Sequence, residues 1–218
     1  MQRAHRRQPS TFLYGREHFS IMVLVIAMMS IHATTPDAVN VTSGMNVLAK
    51  SVYATTEVVE AVVRMSIHAT TPDAVRRLSD TICHITPTML ASMFATMDIA
   101  DAVARMSNHA TTPDAVRSLS SAIRNIAIDA SVQSVFQTQA IVDAFLRMSI
   151  YATTPDAVRC VSHAIHNITN RMDALVKAKF ATPAVVDALA RMSVYATTPE
   201  AVRYLSASMS KISLTAPA

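Results

Sequence analysis

The stretch RMSVYATTPEAVRYLS at 191–206 has close copies at 147–162, 105–120 and 64–79, and a fifth, MMSIHATTPDAVNVTS, at 28–43. The arginines at 64, 105, 147 and 191 are separated by 41, 42 and 44 residues. A period of roughly 40 to 47 residues marks arrays of helical units, in which each unit buries its apolar stripe only against its neighbours. The chain is therefore expected to be all-α, a stack of near-identical helix groups rather than a globule around one central core.

Each unit reads as two main helices. ATTEVVEAVVRMS, ATMDIADAVARMS, QTQAIVDAFLRMS and ATPAVVDALARMS precede the quoted motif, with Thr55, Thr96, Thr138 and Thr182 as N-caps. Apolar residues then fall on one stripe, as in Val58, Val62, Met65 and in Val185, Leu189, Met192. The Thr-Thr-Pro-Asp that follows ends this helix and starts the next. Thr71, Thr112, Thr154 and Thr198 cap, proline takes the first helical position, and the acid faces the positive end of the helix dipole. The second stripe repeats position by position: Val75, Leu78, Ile82, Ile85; Val116, Leu119, Ile123, Ile126; Val158, Val161, Ile165, Ile168; Val202, Leu205, Met209, Ile212. A segment such as NRMDALVKAKF at 170–180 leaves room for a short third helix per unit.

Composition removes most enzyme classes. Gly15 and Gly44 are the two glycines, too few for a phosphate-cradling loop, a dinucleotide fingerprint or a nucleophile elbow. No catalytic residue, cofactor or metal is expected. Cys160, His163 and His166 form a C-x-x-H-x-x-H string, but its steps drift around the helix and no second ligand pair accompanies it. His32, His68 and His109 share a repeat position with Tyr151 and Tyr195; a ligand or general base would not exchange with tyrosine, so the slot asks for a flat amphipathic ring. Cys83 and Cys160 lie in apolar helical patterns, which favours buried free thiols and an intracellular, reducing compartment over a disulfide framework.

With its short first helix, its middle helix VVDALARMS and its long third helix EAVRYLSASMSKI, the chain resembles the armadillo repeat over roughly residues 20–213. The resemblance implies a right-handed α-solenoid of about five armadillo-like repeats of about 42 residues, with HEAT-type two-helix repeats as the alternative. It also implies that the third helices line a groove that takes an extended protein segment. The asparagine that clamps peptide backbones in that family matches Asn125 and Asn167, with His84 and Lys211 at the same place in the neighbouring repeats. The family's groove tryptophan is replaced by Asp80, Ser121, His163 and Ala207, so recognition of nuclear localisation signals is not implied.

On the same helices Arg76, Arg117, Arg159 and Arg203 recur, with Asn40 in the first copy. If these helices line a groove, the arginines form rungs about 10 Å apart, suited to an acidic protein partner or to an RNA backbone, and the net charge of +4 leans the same way. The competing reading pairs each with the acid three residues earlier (Asp73, Asp114, Asp156, Glu200) as a solvated helix face. The second arginine set looks structural, with Glu60, Asp101, Asp143 and Asp187 each four residues before Arg64, Arg105, Arg147 and Arg191. A protein-interaction scaffold is the leading expectation and an RNA-binding helical-repeat protein, gripping phosphates in mitochondrial RNA processing, the alternative. Aromatic content of 5% without tryptophan disfavours base stacking.

Residues 1–19 carry Arg3, Arg6, Arg7 and Arg16 with no acid before Glu17, the composition of a mitochondrial targeting segment or a disordered basic tail; residues 20–218 form the repeat domain. A secretory signal is the competing reading, which would make Asn40 and Asn167 glycosylation acceptors. The apolar run IMVLVIAMM at 21–29 is nine residues, short of the roughly 20 that span a bilayer, so no membrane partner is expected and the run reads as a first-repeat helix. Because the last stripe is as apolar as the internal ones and the run at 21–29 is apolar on all sides, both ends look uncapped, which points to end-on stacking on another protein, a homo-oligomer or a piece of a longer array.

Overall fold

The computed structural model describes residues 33–38, 56–86, 91–128, 134–170 and 174–213. The basic amino-terminal segment, the apolar run at 21–29, His32, Asn40 and the cap Thr55 lie outside the described residues. Among them every regular element is a helix: α1 (Thr56–His68), α2 (Pro72–Ile85), α3 (Ala91–Phe94), α4 (Met97–Met106), α5 (Pro113–Ile126), α6 (Gln139–Tyr151), α7 (Pro155–Thr169), α8 (Ala174–Phe180), α9 (Pro183–Ser193) and α10 (Pro199–Ser213).

The helix starts follow the threonines. Thr71, Thr112 and Thr154 adopt extended backbone and accept from the N–H of Ala74, Ala115 and Ala157, each at 3.3 Å, with proline at the start of the helix. Thr198 does the same for Ala201 at 3.4 Å. Of the other caps, Thr96 and Thr182 bond Ile99 and Val185, whereas Thr138 makes no side-chain cap bond. With every helix started at the same offset, equivalent residues face the same way in every unit.

Two rows of helices result. α2 packs on α5, α5 on α7 and α7 on α10, while α1, α4, α6 and α9 form a parallel series beside them. The stripes read from the sequence are enclosed except at Val202, which is exposed, and Met209, which is partly buried, and they join in one apolar cluster that runs from Ala33 to Ile212. Small residues let the long helices approach closely: Ser79, Ser118, Ser120, Cys160, Ser162 and Ser208 are all buried. Contacts between neighbours are partly polar, with Ser208 Oγ donating to the Ser162 carbonyl at 2.6 Å and Ser121 Oγ lying 3.2 Å from Cys160 Sγ.

The third helix expected in each unit is only partly formed. It spans four residues as α3, a single 3-10 turn at 134–136, and seven residues as α8. What recurs is a phenylalanine two residues before the threonine cap: Phe94, Phe136 and Phe180 are completely enclosed. These rings wedge the connecting segment into the core whatever its length, and Phe180 meets Phe145 with centroids 6.4 Å apart.

The second arginine set departs from expectation. Arg64 pairs with Glu60 at 3.6 Å, but Arg105, Arg147 and Arg191 reach back one unit instead of one helical turn. Arg105 Nη2 donates to Ser66 Oγ at 2.9 Å, Arg147 to Ser107 Oγ through Nε and Nη2 at 3.0 and 2.9 Å, and Arg191 Nη2 to Ser149 Oγ at 3.4 Å. Each serine in turn donates to the carbonyl three residues before it, as Ser107 does to Ala104 at 2.8 Å. The Arg-Met-Ser triplet is thus a clamp between units. A buried hydroxyl offers the guanidinium a better enclosed acceptor than a solvated carboxylate on its own helix.

Candidate basic face on the long helices

Helices α2, α5, α7 and α10 carry the arginines expected to form a track. Three of the four hold the acid one turn before them: Arg76 meets Asp73 at 2.6 Å and Asp80 at 3.5 Å, Arg117 meets Asp114 at 4.0 Å, and Arg159 meets Asp156 at 3.4 Å. Asp73 also receives Arg77 at 3.0 Å, and the hydrogen bonds from Arg77 and Arg76 hold its carboxyl below the usual range. Pairs this exposed are each worth about 0–1 kcal/mol, so they neutralise the rungs locally without locking them. Arg203 differs. Its guanidinium donates to Tyr204 Oη at 2.8 Å and lies 4.6 Å from the centre of that ring.

The positions matched to the peptide-clamping asparagine turn inward to the neighbouring helix. Asn125 Nδ2 donates to the Cys83 carbonyl at 3.3 Å and Asn167 Nδ2 to the Arg124 carbonyl at 3.1 Å. Each amide therefore ties the end of one long helix to the end of the preceding one. His84 Nδ1 sits 2.6 Å from the Asp80 carbonyl on its own helix, a contact that places the proton on that nitrogen. Lys211 occupies the same offset on α10, close enough to act on His166.

Between α7 and α10 the structure gathers residues that the sequence did not group. Tyr204 occupies the position filled by Arg77, Ser118 and Cys160 in the other units, and its ring stacks on His163 with centroids 3.8 Å apart and planes 13° apart. His166 meets the same ring edge-on at 6.4 Å. Burial pushes His163 down to about 4, and Arg124, His166, Arg159 and Arg203 add to the shift. His166 is lowered by burial, then by Lys211 and Arg203. Both rings are thus neutral at neutral pH, and the Nδ1 of each is enclosed without a hydrogen-bond partner among the described residues. The side-chain charges that add to the two shifts, Arg124, Arg159 and Arg203 on His163 and Lys211 and Arg203 on His166, all lower them.

Arg124, Tyr204 and His166 escaped the sequence reading of the groove. Arg124 could have been found: Ser121 and Ser120 stand three and four residues before it, where the other long-helix arginines have an acid. It bonds Asn125 Oδ1 through Nε and Nη2 at 3.1 and 2.9 Å, leaving its charge uncompensated by any carboxylate in those contacts.

The C-x-x-H-x-x-H string divides between two interfaces, Cys160 toward Ser121 of α5 and the two histidines toward Tyr204 of α10. Among the described residues no three histidine, cysteine or acidic side chains converge as a metal site. Burial pushes the Cys83 thiol up to about 12, so it has no thiolate character at neutral pH. No helix among the described residues is long and apolar enough to cross a membrane. Comparison of the chain with known protein families, with curated proteins and with solved structures finds no match in any of the three.

Proposed function

We propose that the chain is a non-catalytic interaction scaffold, an armadillo-like solenoid whose basic face binds an acidic, extended segment of a protein partner. The observation that carries this reading is the meeting of Arg124, Arg159, Arg203 and Lys211 around His163, His166 and Tyr204. Three elements, α5, α7 and α10, bring positive charge to one place, and an incoming carboxylate would find donors and an aromatic surface together. The regular stacking of α2, α5, α7 and α10 supports a solenoid face long enough for several residues of extended chain.

A protein segment suits this face better than RNA does. A phosphate backbone carries charge at every nucleotide and would run past Asp73, Asp80, Asp114 and Asp156, which sit beside the first three rungs. An acidic peptide concentrates its charge where the uncompensated cations lie. The test is fluorescence anisotropy with a labelled Glu- and Asp-rich peptide and, in parallel, a homopolymeric single-stranded RNA. The reading predicts peptide binding that weakens about tenfold or more in Arg203→Ala/Lys211→Ala. RNA binding that is tight, falls steeply with salt and drops by a similar factor with each of Arg76→Ala, Arg117→Ala and Arg159→Ala would replace it with the RNA reading.

A further inference from the structure

Among the described residues Arg124, Arg203 and Lys211 make no ion pair, whereas Arg76, Arg117 and Arg159 each meet an aspartate of their own helix. Two of the three are held in place by neutral groups instead. Arg124 directs Nε and Nη2 to Asn125 Oδ1, and Asn125 is anchored through Nδ2 to the Cys83 carbonyl at 3.3 Å. Arg203 directs Nη2 to Tyr204 Oη, and the Tyr204 ring is fixed by its stack on His163. Both guanidinium groups thus keep their charge in a set orientation, and Nη1 of each has no hydrogen-bond partner among the described residues. They flank α7 from either side. The Arg124 carbonyl is tied to Asn167, one turn beyond His163, while Arg203 and Lys211 of α10 act on His166.

We infer that the group recognised here is a phosphorylated serine or threonine of the partner segment, in preference to its glutamates and aspartates. The inference rests on the function proposed above and names the chemistry of the residue bound at that face. A carboxylate brings a single negative charge and two oxygens in one plane, too little for three open cations on two helices. A phosphate monoester brings about −1.5 to −2 at neutral pH and three acceptor oxygens. One arginine fork takes two of those oxygens and leaves the third for a donor from another element. Beside Asp73 and Asp80 the same dianion would be repelled, which confines it to the part of the face around α7 and α10.

The test uses three labelled peptides of one Glu- and Asp-rich sequence, with serine, glutamate or phosphoserine at the centre. Each is titrated into the full chain by fluorescence anisotropy, into the parent and into Arg124→Gln/Arg203→Gln, whose helicity is checked by circular dichroism. Inorganic phosphate serves as the competitor. The expected result is a phosphoserine peptide bound about tenfold or more tighter than the glutamate peptide, an advantage that disappears in the double variant. Phosphoserine and glutamate peptides that bind alike overturn the inference and leave the acidic-segment reading standing, whereas no binding of any of the three overturns both. An advantage retained in the double variant, or inorganic phosphate that competes as strongly as the phosphoserine peptide, would also overturn it, the latter by marking a site for the free anion.

Discussion

Arg147 donates two hydrogen bonds to the hydroxyl of Ser107, forty residues earlier in the chain, and a third to the Ala104 carbonyl at 3.2 Å. One side chain thereby joins α6 to the end of α4 and fixes the register of one unit on the next. Arg147→Ala should cost about 1.5–3 kcal/mol, because a charge-assisted bond is lost at a half-buried site. Ser107→Ala should cost less, and the double variant should show a coupling of about 0.5 kcal/mol or more. Urea denaturation of the four proteins measures it.

Thr112 and Thr138 are both helix caps by sequence, yet only Thr112 bonds the N–H three residues on. Thr112→Ala should cost about 1 kcal/mol and Thr138→Ala a few tenths, since only the first leaves a backbone donor without its acceptor. Thermal melts of the two single variants distinguish them.

Ser162 Oγ is enclosed with no hydrogen-bond partner among the described residues, while its carbonyl accepts from Ser208. Removing the hydroxyl should cost nothing and should stabilise the chain by up to about 1 kcal/mol, the reverse of the usual sign for a buried substitution. A lower denaturation midpoint for Ser162→Ala would contradict the placement of that side chain.

The helix starts and both apolar stripes were legible in the sequence, because Thr-Pro-Asp and the 3.6-residue period act locally. The partners of Arg105, Arg147 and Arg191 were not. The i, i+4 rule treats each helix as isolated in water, but in the stack that helix surface becomes an interface, and Ser66, Ser107 and Ser149 displace the nearer acids. The inward turn of Asn125 and Asn167 has the same origin: a side chain at a helix end takes whichever backbone carbonyl the neighbouring helix offers. The pairing of Arg76, Arg117 and Arg159 with their own acids was one of two open readings, and it needed only local geometry.

Stability should depend on pH through the α7–α10 contact. The unfolded chain protonates His163 near the ordinary 6.5, whereas the folded chain resists until about 4, because burial disfavours the charged ring and Arg124 of α5, His166 and Arg159 of α7 and Arg203 of α10 add to that. Between those values the unfolded state binds more protons, so stability is full above about pH 6.5 and falls as pH drops toward 4. His166 acts in the same direction. In His163→Gln the decline should be shallower, as read by denaturation at a series of pH values.

The proposed binding face is tested most directly by NMR titration of the His163 and His166 ring protons with and without the acidic peptide. A carboxylate bound among Arg124, Arg203 and Lys211 must favour the protonated rings. The account predicts that His163 moves upward from about 4 when peptide is bound and that peptide affinity rises as pH is lowered. Histidine titrations unchanged at saturating peptide would contradict it.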